Sequence, residues 1–347
     1  MALWLIRGGS HGEFEEKFFE EKKIYLTWDN LKDRDFRGAK DYNAIKEIVR
    51  GLLPDGPERR IGNFSGQAWA FVLSMKAGDL VVTPRKRKSV VAVGAITSSY
   101  KYDADAPHLF QHFHEVKWLN TAVPRTVFGQ DLLYSFGAFI TICNISRYNA
   151  EQRVMAIVKS GWKPEAIPSA TIPSKGTTEE VPPEEIRDLE QLARDQIAKL
   201  IDQKFKGHRM SALVEAILKA QGYTTYNSPV GHDKGVDILA AAGQLGFGNP
   251  RICVQVKSGD DAVDLPTLNQ LIGTMQTVGA NQGLLVSWGG FKSSVEKERA
   301  RHFFKVRLWD QDILIDQLLE VHDKLDEDLK AELPLKCIWT VAAQVEE

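Results

Sequence analysis

Asp233-Lys-Gly235-Val-Asp237-Ile-Leu239, a turn rich in Gly, Asn and Pro, and then Val254-Gln255-Val256-Lys257 form the stretch on which the reading of this sequence turns. The two apolar runs, 235–242 and 251–257, read as strands. Residues i and i+2 of a strand point to one face, so Gln255 and Lys257 share a side. If the runs pair as a hairpin, Asp237 comes within reach of that side. A hard divalent cation takes oxygen ligands and keeps several waters, so Asp237 with the Gln255 amide oxygen or the Val256 backbone carbonyl is enough protein ligation for Mg²⁺ or Mn²⁺. Lys257 beside it suits the orientation of a water or the neutralisation of a phosphate in phosphodiester hydrolysis. A lone D…QxK is more readily a turn-capping carboxylate and a strand-end surface lysine, so the surroundings decide.

Around the hairpin, Met210, Leu213, Val214, Ile217 and Leu218 recur at helical spacing until Gly222. A helix over about 265–276 and a strand over 283–288 follow, giving the order α-β-β-α-β. Further on, 293–303 reads as helix, 305–308 as strand and 312–325 as helix.

In this setting the segment from His208 to Trp288 resembles the catalytic domain of Mrr-like restriction endonucleases, a branch of the PD-(D/E)xK fold in which glutamine replaces the usual acidic residue of the last motif. The resemblance rests on Leu213-Val214-Glu215-Ala-Ile-Leu218-Lys-Ala-Gln-Gly222-Tyr223, Asp233 to Ala240, Val254 to Lys257 and Gly283-Leu-Leu-Val286-Ser-Trp288. It implies an α/β domain with a mixed sheet over 207–320, catalytic Asp237, Gln255 and Lys257, and a divalent metal. One departure stands out: the family's acidic position near the start of the first helix is Ser211 here. Glu215, one turn later, is either its replacement as a metal-linked carboxylate or a surface charge. Gln270 reads as an exposed helix position with a phosphate or water contact as the alternative.

Upstream, five of the fourteen prolines lie between Pro164 and Pro183 among Ser, Thr and acidic residues, which marks 161–183 as a linker. Apolar residues from Ile186 to Phe205 at three- and four-residue spacing predict a connecting helix over 184–206, and 321–347 forms a C-terminal extension. Residues 1–160 make a front domain of short β-rich runs, 4–6, 24–28, 80–83, 90–96 and 114–118, with helices near 42–53 and 66–75, which predicts a small twisted barrel with helices. The chain is therefore a two-domain protein of α+β and α/β parts.

The stretches Met75-Lys-Ala-Gly78-Asp79-Leu-Val-Val82, Val93-Gly94 through Tyr100-Lys-Tyr102-Asp103, and Val116-Lys-Trp118 through Val123-Pro124-Arg125 resemble the PUA-like group that includes EVE domains. That resemblance implies a reader of modified nucleobases, often flipped from a duplex. Such a reader needs stacking surfaces and a few polar groups for the base edge. Trp28, Trp69, Tyr100, Tyr102 and Trp118 supply candidate rings, and Asn30, Asn63, Ser65 and Gln67 candidate edge contacts. Arg85-Lys86-Arg87-Lys88, between two apolar strands, is expected at a hairpin tip that clamps phosphates. His108, His112 and His114 lack the companions of a metal site and are read as ordinary polar contacts.

The 347 residues, 43% hydrophobic, 26% charged and 9% aromatic, are globular in composition and exclude collagen or wholesale disorder. The net charge of −2 hides an asymmetry: residues 1–160 carry 23 Lys/Arg against 18 Asp/Glu, the rest 21 against 28. Cys143, Cys253 and Cys337 are too few and too scattered for a disulfide framework or a cysteine zinc site. No signal peptide and no spanning run can be drawn, so the cytoplasm and no membrane partner are expected. The combined expectation is a type II/IV-like restriction endodeoxyribonuclease, Mg²⁺-dependent and directed to modified double-stranded DNA, paired as a homodimer when it cuts. The rival expectations are a sequence-specific enzyme for unmodified DNA and an inactive nuclease fold that only binds or senses nucleic acid.

Overall fold

The structure is a computed structural model of the chain and describes residues 1–31, 34–86, 88–138, 140–165, 188–228 and 235–339, with Asn30 described only in its backbone. Arg87, Asp233, the Asn30 side chain and most of the expected linker therefore lie outside the described residues. Two compact units divide between Leu192 and Ala193.

Seven strands build the N-terminal unit: β1 (Leu3–Ile6), β2 (Lys23–Tyr25), β3 (Leu80–Pro84), β4 (Val90–Ile96), β5 (Lys101–Tyr102), β6 (His112–Pro124) and β7 (Ile142–Asn144). Their helices are α1 (Glu15–Glu20), α2 (Tyr42–Leu52), α3 (Glu58–Trp69), α4 (Gln130–Phe136) and α5 (Ala150–Lys159). The ladder runs β2-β6-β4-β3-β1-β7, with β5 also on β6. Register shifts at Val91/Val93 and Val93/Gly94 curl the long β6 around β4. Gly94 permits that close crossing, since a Cβ there would stand 2.6 Å from Val116 Cγ1.

A small barrel was the expectation; the described sheet is curled, and it does not show the closed form. Among the described residues no ladder joins β2 to β7, and strand alternation buries both faces. Leu3 and Leu5 join Leu80, Val82, Val91 and Val93 in one core with Leu132, Phe136, Val154 and Ile157, from α4 and α5. Trp4 and Ile6 join Val81 and Ile96 in a second core with Ile45, Val49, Ile61 and Ala68, from α2 and α3. The sheet is thus a curled layer between two helical layers. Helix α3 also begins earlier than the expected 66–75, just after Pro57, and runs on into a π-helical turn over Ala70–Ser74.

The histidines are structural, as expected. His114 is buried between the carbonyls of Ser98 (3.1 Å) and Phe71 (2.7 Å), and His108 lies 2.9 Å from the Asp29 carbonyl. His112 is fully buried, its Nδ1 2.7 Å from the Tyr100 hydroxyl and its Nε2 without a partner.

In the C-terminal unit, α6 (Leu189–Phe205), most of which belongs here, leads to α7 (His208–Ala220), β8 (Thr224–Asn227), β9 (Ile238–Ala241), β10 (Arg251–Lys257), α8 (Leu265–Thr277), β11 (Gln282–Ser287), α9 (Ser293–Glu298), β12 (Val306–Trp309), α10 (Gln311–Val321) and α11 (Glu327–Glu332). The sheet order is β12-β11-β10-β9-β8, with β8, β9 and β10 antiparallel and β10, β11 and β12 parallel. This is the mixed sheet expected for 207–320, with β8 added. One face carries Val254, Val256, Leu284 and Val286 into a core with Leu213, Ile217 and Leu318, and the other carries Cys253 and Leu285 against Leu268, Leu271 and Met275 of α8. Among the described residues no helix is long and apolar enough to cross a membrane.

Burial lowers the His112 pKa from 6.5 to about 4, against a smaller opposing effect of Asp35. Above pH 6.5 both folded and unfolded states hold the ring neutral, and as pH falls toward 4 only the unfolded state takes up the proton. Stability should therefore fall by about 2 kcal/mol between pH 7 and pH 5 from this group. Urea denaturation at pH 7, 6 and 5 should show that loss in the wild type and a much flatter profile in His112→Phe.

Candidate active site

The antiparallel pairing of β9 with β10 runs from Ala241↔Arg251 to Ile238↔Val254, so the next residue, Asp237, stands across from Gln255. The ladder does not stop there. Asp237 N–H donates to the Val254 carbonyl (3.0 Å), and the Asp237 carbonyl accepts from Ser228 N–H (2.9 Å). Its carboxylate then takes over as a ladder acceptor, with Val256 N–H donating to Oδ2 at 2.6 Å. Two residues earlier Gly235, at φ +86°, turns the chain into this position with a backbone conformation that L side chains rarely adopt.

Gln255 is 2% exposed and registers with Leu285 of β11, on the α8 side of the sheet. Its Oε1 is buried and has no hydrogen-bond partner among the described residues. Such an acceptor left without any partner costs about 1–3 kcal/mol, and a water, an ion or a ligand could each meet it. Lys257, two residues on, is exposed on the same side, while its backbone carbonyl accepts from Trp288 N–H at 2.8 Å. Cys253 reports the charge on this face: burial first, then the Asp237 carboxylate, pushes its thiol up to about 11. The thiol is therefore neutral and inert near pH 7.

Register and alternation thus set Asp237, Gln255 and Lys257 on one sheet face near the end of adjacent strands. Their donors, one carboxylate oxygen set, a neutral amide oxygen and strand carbonyls, are the hard oxygens that Mg²⁺ prefers. Among the described residues no three His, Cys, Asp or Glu side chains gather as a metal cluster. A cation here would depend on the amide, a backbone carbonyl and water as well as on Asp237.

Glu215 is not brought to this group. Its carboxylate accepts from Thr225 Oγ1 (2.8 Å) and Asn227 Nδ2 (3.0 Å) and pairs with Lys219 (2.9 Å). Thr225 and Asn227 register with Ala240 and Ile238, which face the α7 core, whereas alternation sends Asp237 to the other side. Burial alone would raise the Glu215 pKa, but bonds from Lys219, Thr225 and Asn227 outweigh it and leave it lowered. Ser211, at the position of the family's acidic residue, is buried in α7.

In the N-terminal unit the candidate reading residues do not share one surface. Ser65 is buried and donates to the Ile61 carbonyl (2.6 Å), and buried Gln67 donates to Asn63 (3.0 Å) and accepts from Ile142 N–H (3.1 Å). Both are spent on the fold, which corrects their reading as base-edge contacts. Trp118 donates to the Phe18 carbonyl (3.0 Å) and packs on Phe19, and Trp28 packs on Phe64 at 4.7 Å. Tyr100 and Tyr102 lie against His112. Trp69 differs: it is 42% exposed, edge-on to exposed Tyr42 and one turn beyond half-buried Gly66.

The expected basic tip is also neutralised. Arg85 is buried and paired with Glu15 (3.3 Å) and Glu16, Lys86 with Asp188 (2.6 Å) and Lys88 with Glu16 (3.3 Å). The three described cations of the tip are all paired, which corrects their reading as a free clamp, and of these Lys88 is the exposed one. The sequence showed the positive run but not the acidic residues of α1, 70 positions away, that meet it.

Residues 202–318 match the family model described as restriction endonuclease, Mrr_cat. The C-terminal unit therefore carries a restriction-endonuclease catalytic domain of the Mrr type. Residues 4–131 match a domain of unknown function, DUF8426. Among solved structures the chain is similar to the DNA modification-dependent restriction endonuclease AspBHI, at 14% identity and a TM-score of 0.33, over 81% of this chain and 74% of that one. It is also similar to the MspJI restriction endonuclease in complex with a 27-mer oligonucleotide, at 14% identity and a TM-score of 0.30, over 74% of this chain and 64% of that one. No curated protein sequence matches the chain.

Because Glu215 serves the α7–β8 contact, Glu215→Gln should leave any Mg²⁺-dependent DNA cleavage by the chain unchanged. Glu215→Ala, which strands the Thr225 and Asn227 donors, should lower stability by about 1–2 kcal/mol in urea denaturation. A raised Mg²⁺ requirement in Glu215→Gln would restore this residue to the metal site.

Proposed function

We propose that the chain is a Mg²⁺- or Mn²⁺-dependent endodeoxyribonuclease of a restriction system that hydrolyses phosphodiester bonds in modified double-stranded DNA. The observation that carries this reading is the buried, unpartnered Gln255 Oε1 on the same sheet face as Asp237 and Lys257. A buried acceptor of this kind is open to a water, an ion or a ligand, and the restriction-endonuclease match of residues 202–318 supports a metal-assisted phosphodiester site.

Asp237, Gln255 and the Val256 carbonyl would hold the cation, which when bound acidifies a water and screens charge developing on the phosphate. The chain's own groups do the rest. The Val256 N–H fixes the Asp237 carboxylate through Oδ2. Lys257, reaching solvent from the strand end, places an ammonium at the scissile phosphate, where it orients the attacking water and offsets charge developing on the phosphate oxygens. Cutting both strands takes two such centres, which implies that the protein acts as a homodimer.

The N-terminal unit is proposed as the reader, by an EVE-like mode of base capture. Trp69 is the ring offered for stacking, with exposed Asn63 on the same helix as a candidate polar contact and Lys88 as a cation at the hairpin tip. Trp28, Tyr100, Tyr102 and Trp118 would support such a site from within the unit's packing.

Matched duplexes, plain or carrying methylcytosine, hydroxymethylcytosine or methyladenine, with and without Mg²⁺, test this function. The wild type should cut one modified form in a metal-dependent way. Asp237→Ala and Lys257→Ala should each reduce cleavage at least a thousandfold while gel-shift affinity stays within about threefold; normal cutting by either removes the nuclease assignment. Equal cutting of the plain duplex would favour a sequence-specific enzyme, and binding without cutting a sensing role. Trp69→Ala should weaken binding of the modified duplex by about 1–3 kcal/mol, as expected for one lost base stack, and leave the plain duplex unchanged.

A further inference from the structure

Strands β10, β11 and β12 are parallel, so Arg251, Gln282 and Val306 lie at one end of the sheet, about 20 Å along β10 from Lys257. Antiparallel β9 ends at Ala241 there too. Three loops meet at this end, 242–250, 278–281 and 299–305. Asn281 N–H donates to the Arg251 carbonyl (3.1 Å), Asn281 Nδ2 to Asn249 Oδ1 (3.2 Å) and Gly283 N–H to the Lys305 carbonyl (2.8 Å), which ties them together. From that base Leu245, Phe247, Phe303 and Phe304 stand 77, 75, 50 and 88% exposed. Phe303 and Phe304 are edge-on with centroids 5.3 Å apart, and the Arg307 guanidinium lies 4.2 Å from the Phe303 centroid. Arg299 and Arg301 pair with Glu296 and Glu298 of α9, but exposed Arg251, Lys305 and Arg307 meet no carboxylate among the described residues. The three loops hold no Asp or Glu, although residues 161–347 carry 28 acidic residues against 21 basic.

We propose that this end of the C-terminal unit binds single-stranded nucleic acid, its unpaired bases stacking on Phe247, Phe303 and Phe304 and its phosphates meeting Arg251, Lys305 and Arg307. Several large apolar side chains exposed at one end of a domain mark an interaction surface, and the charge selects the partner. Rings beside uncompensated cations suit a polyanion that also offers flat apolar faces, and an unpaired strand is both. A duplex keeps its base faces inside the stack and cannot use the rings. A second copy of this chain is disfavoured by the same cations, because a two-fold contact turns the patch on itself and sets positive charge toward positive charge. The surface lies at the far end of the sheet from Asp237 and does not rest on the nuclease reading above.

Fluorescence anisotropy of the full-length protein in EDTA, so that no cleavage is read, tests this with oligo-dT and oligo-U of about 16 nucleotides and with a blunt duplex. The wild type should bind a single strand, and the tighter of the two identifies the source as DNA or RNA. Phe304→Ala removes an exposed ring and leaves no cavity, so its thermal unfolding should match the wild type. It should weaken single-strand binding about five- to hundredfold, the range for one lost base stack, and leave duplex binding unchanged. Arg251→Gln and Lys305→Gln should each lower the slope of log Kd against log salt by about 0.7 for the single strand, the effect of one lost phosphate contact. A wild type that binds neither strand at low salt, or wild-type binding by Phe304→Ala and Lys305→Gln, would overturn the surface. So would sedimentation in which these two variants break up a self-association while binding the strands normally, or a wild type that binds phosphatidylserine vesicles in place of the strands.

Discussion

The hydrogen bond from Val256 N–H to the Asp237 carboxylate is the constraint on which the site depends. Beyond Asp237 the backbone leaves the ladder for the Gly235 turn, and without a substitute acceptor the Val256 donor would be left unsatisfied at a cost of about 1–3 kcal/mol. Asp237 provides that acceptor with its side chain, and this fixes the carboxylate within the plane of two strands. The same bond sets its neighbours. It holds Asp237 across from Gln255, leaves Lys257 at the exposed strand end, and brings the turn under α8, where only a residue without a Cβ fits comfortably.

That arrangement was partly legible. Alternation in Val254-Gln255-Val256-Lys257 gave the shared face of Gln255 and Lys257, and the antiparallel register of β9 and β10 is the hairpin expected from the two apolar runs. The strand β8 was not legible, because Thr224-Thr-Tyr-Asn227 is short, polar and largely exposed at a sheet edge and so shows no apolar alternation. Its absence from the reading had a consequence. Thr225 and Asn227 are the groups that engage Glu215, and only their strand reveals that this carboxylate faces away from Asp237.

The front unit shows a different limit. Its apolar runs located most strands, but run composition cannot distinguish a barrel wall from a sheet buried on both sides. The difference lies in which helices cover each face, and β1 settles it by sending Leu3 and Leu5 to one core and Trp4 and Ile6 to the other. The polar segment 63–69 misled for a related reason. On a helix, residues adjacent in sequence point in different directions, so Ser65 and Gln67 are turned inward while Asn63 and Trp69 are turned out. A charge run is likewise incomplete information when α1 supplies Glu15 and Glu16 against it.

Glutamine at position 255 follows from the burial of that side chain. At 2% exposure a glutamate there would carry a second negative charge, out of water and across from Asp237. Desolvation and repulsion would both drive it to hold a proton, and a protonated carboxyl is a poorer ligand. An amide offers the same carbonyl oxygen with no charge to desolvate. The compensation is a weaker field for a divalent cation, since Asp237 is then its one side-chain anion and Lys257 lies nearby. A cation in such a site gains most when a DNA phosphate supplies the missing negative charge, so metal and substrate would bind as mutually reinforcing ligands. On that reasoning the amide at 255 would tie assembly of the proposed hydrolytic centre to the presence of DNA, which a buried pair of carboxylates would not do.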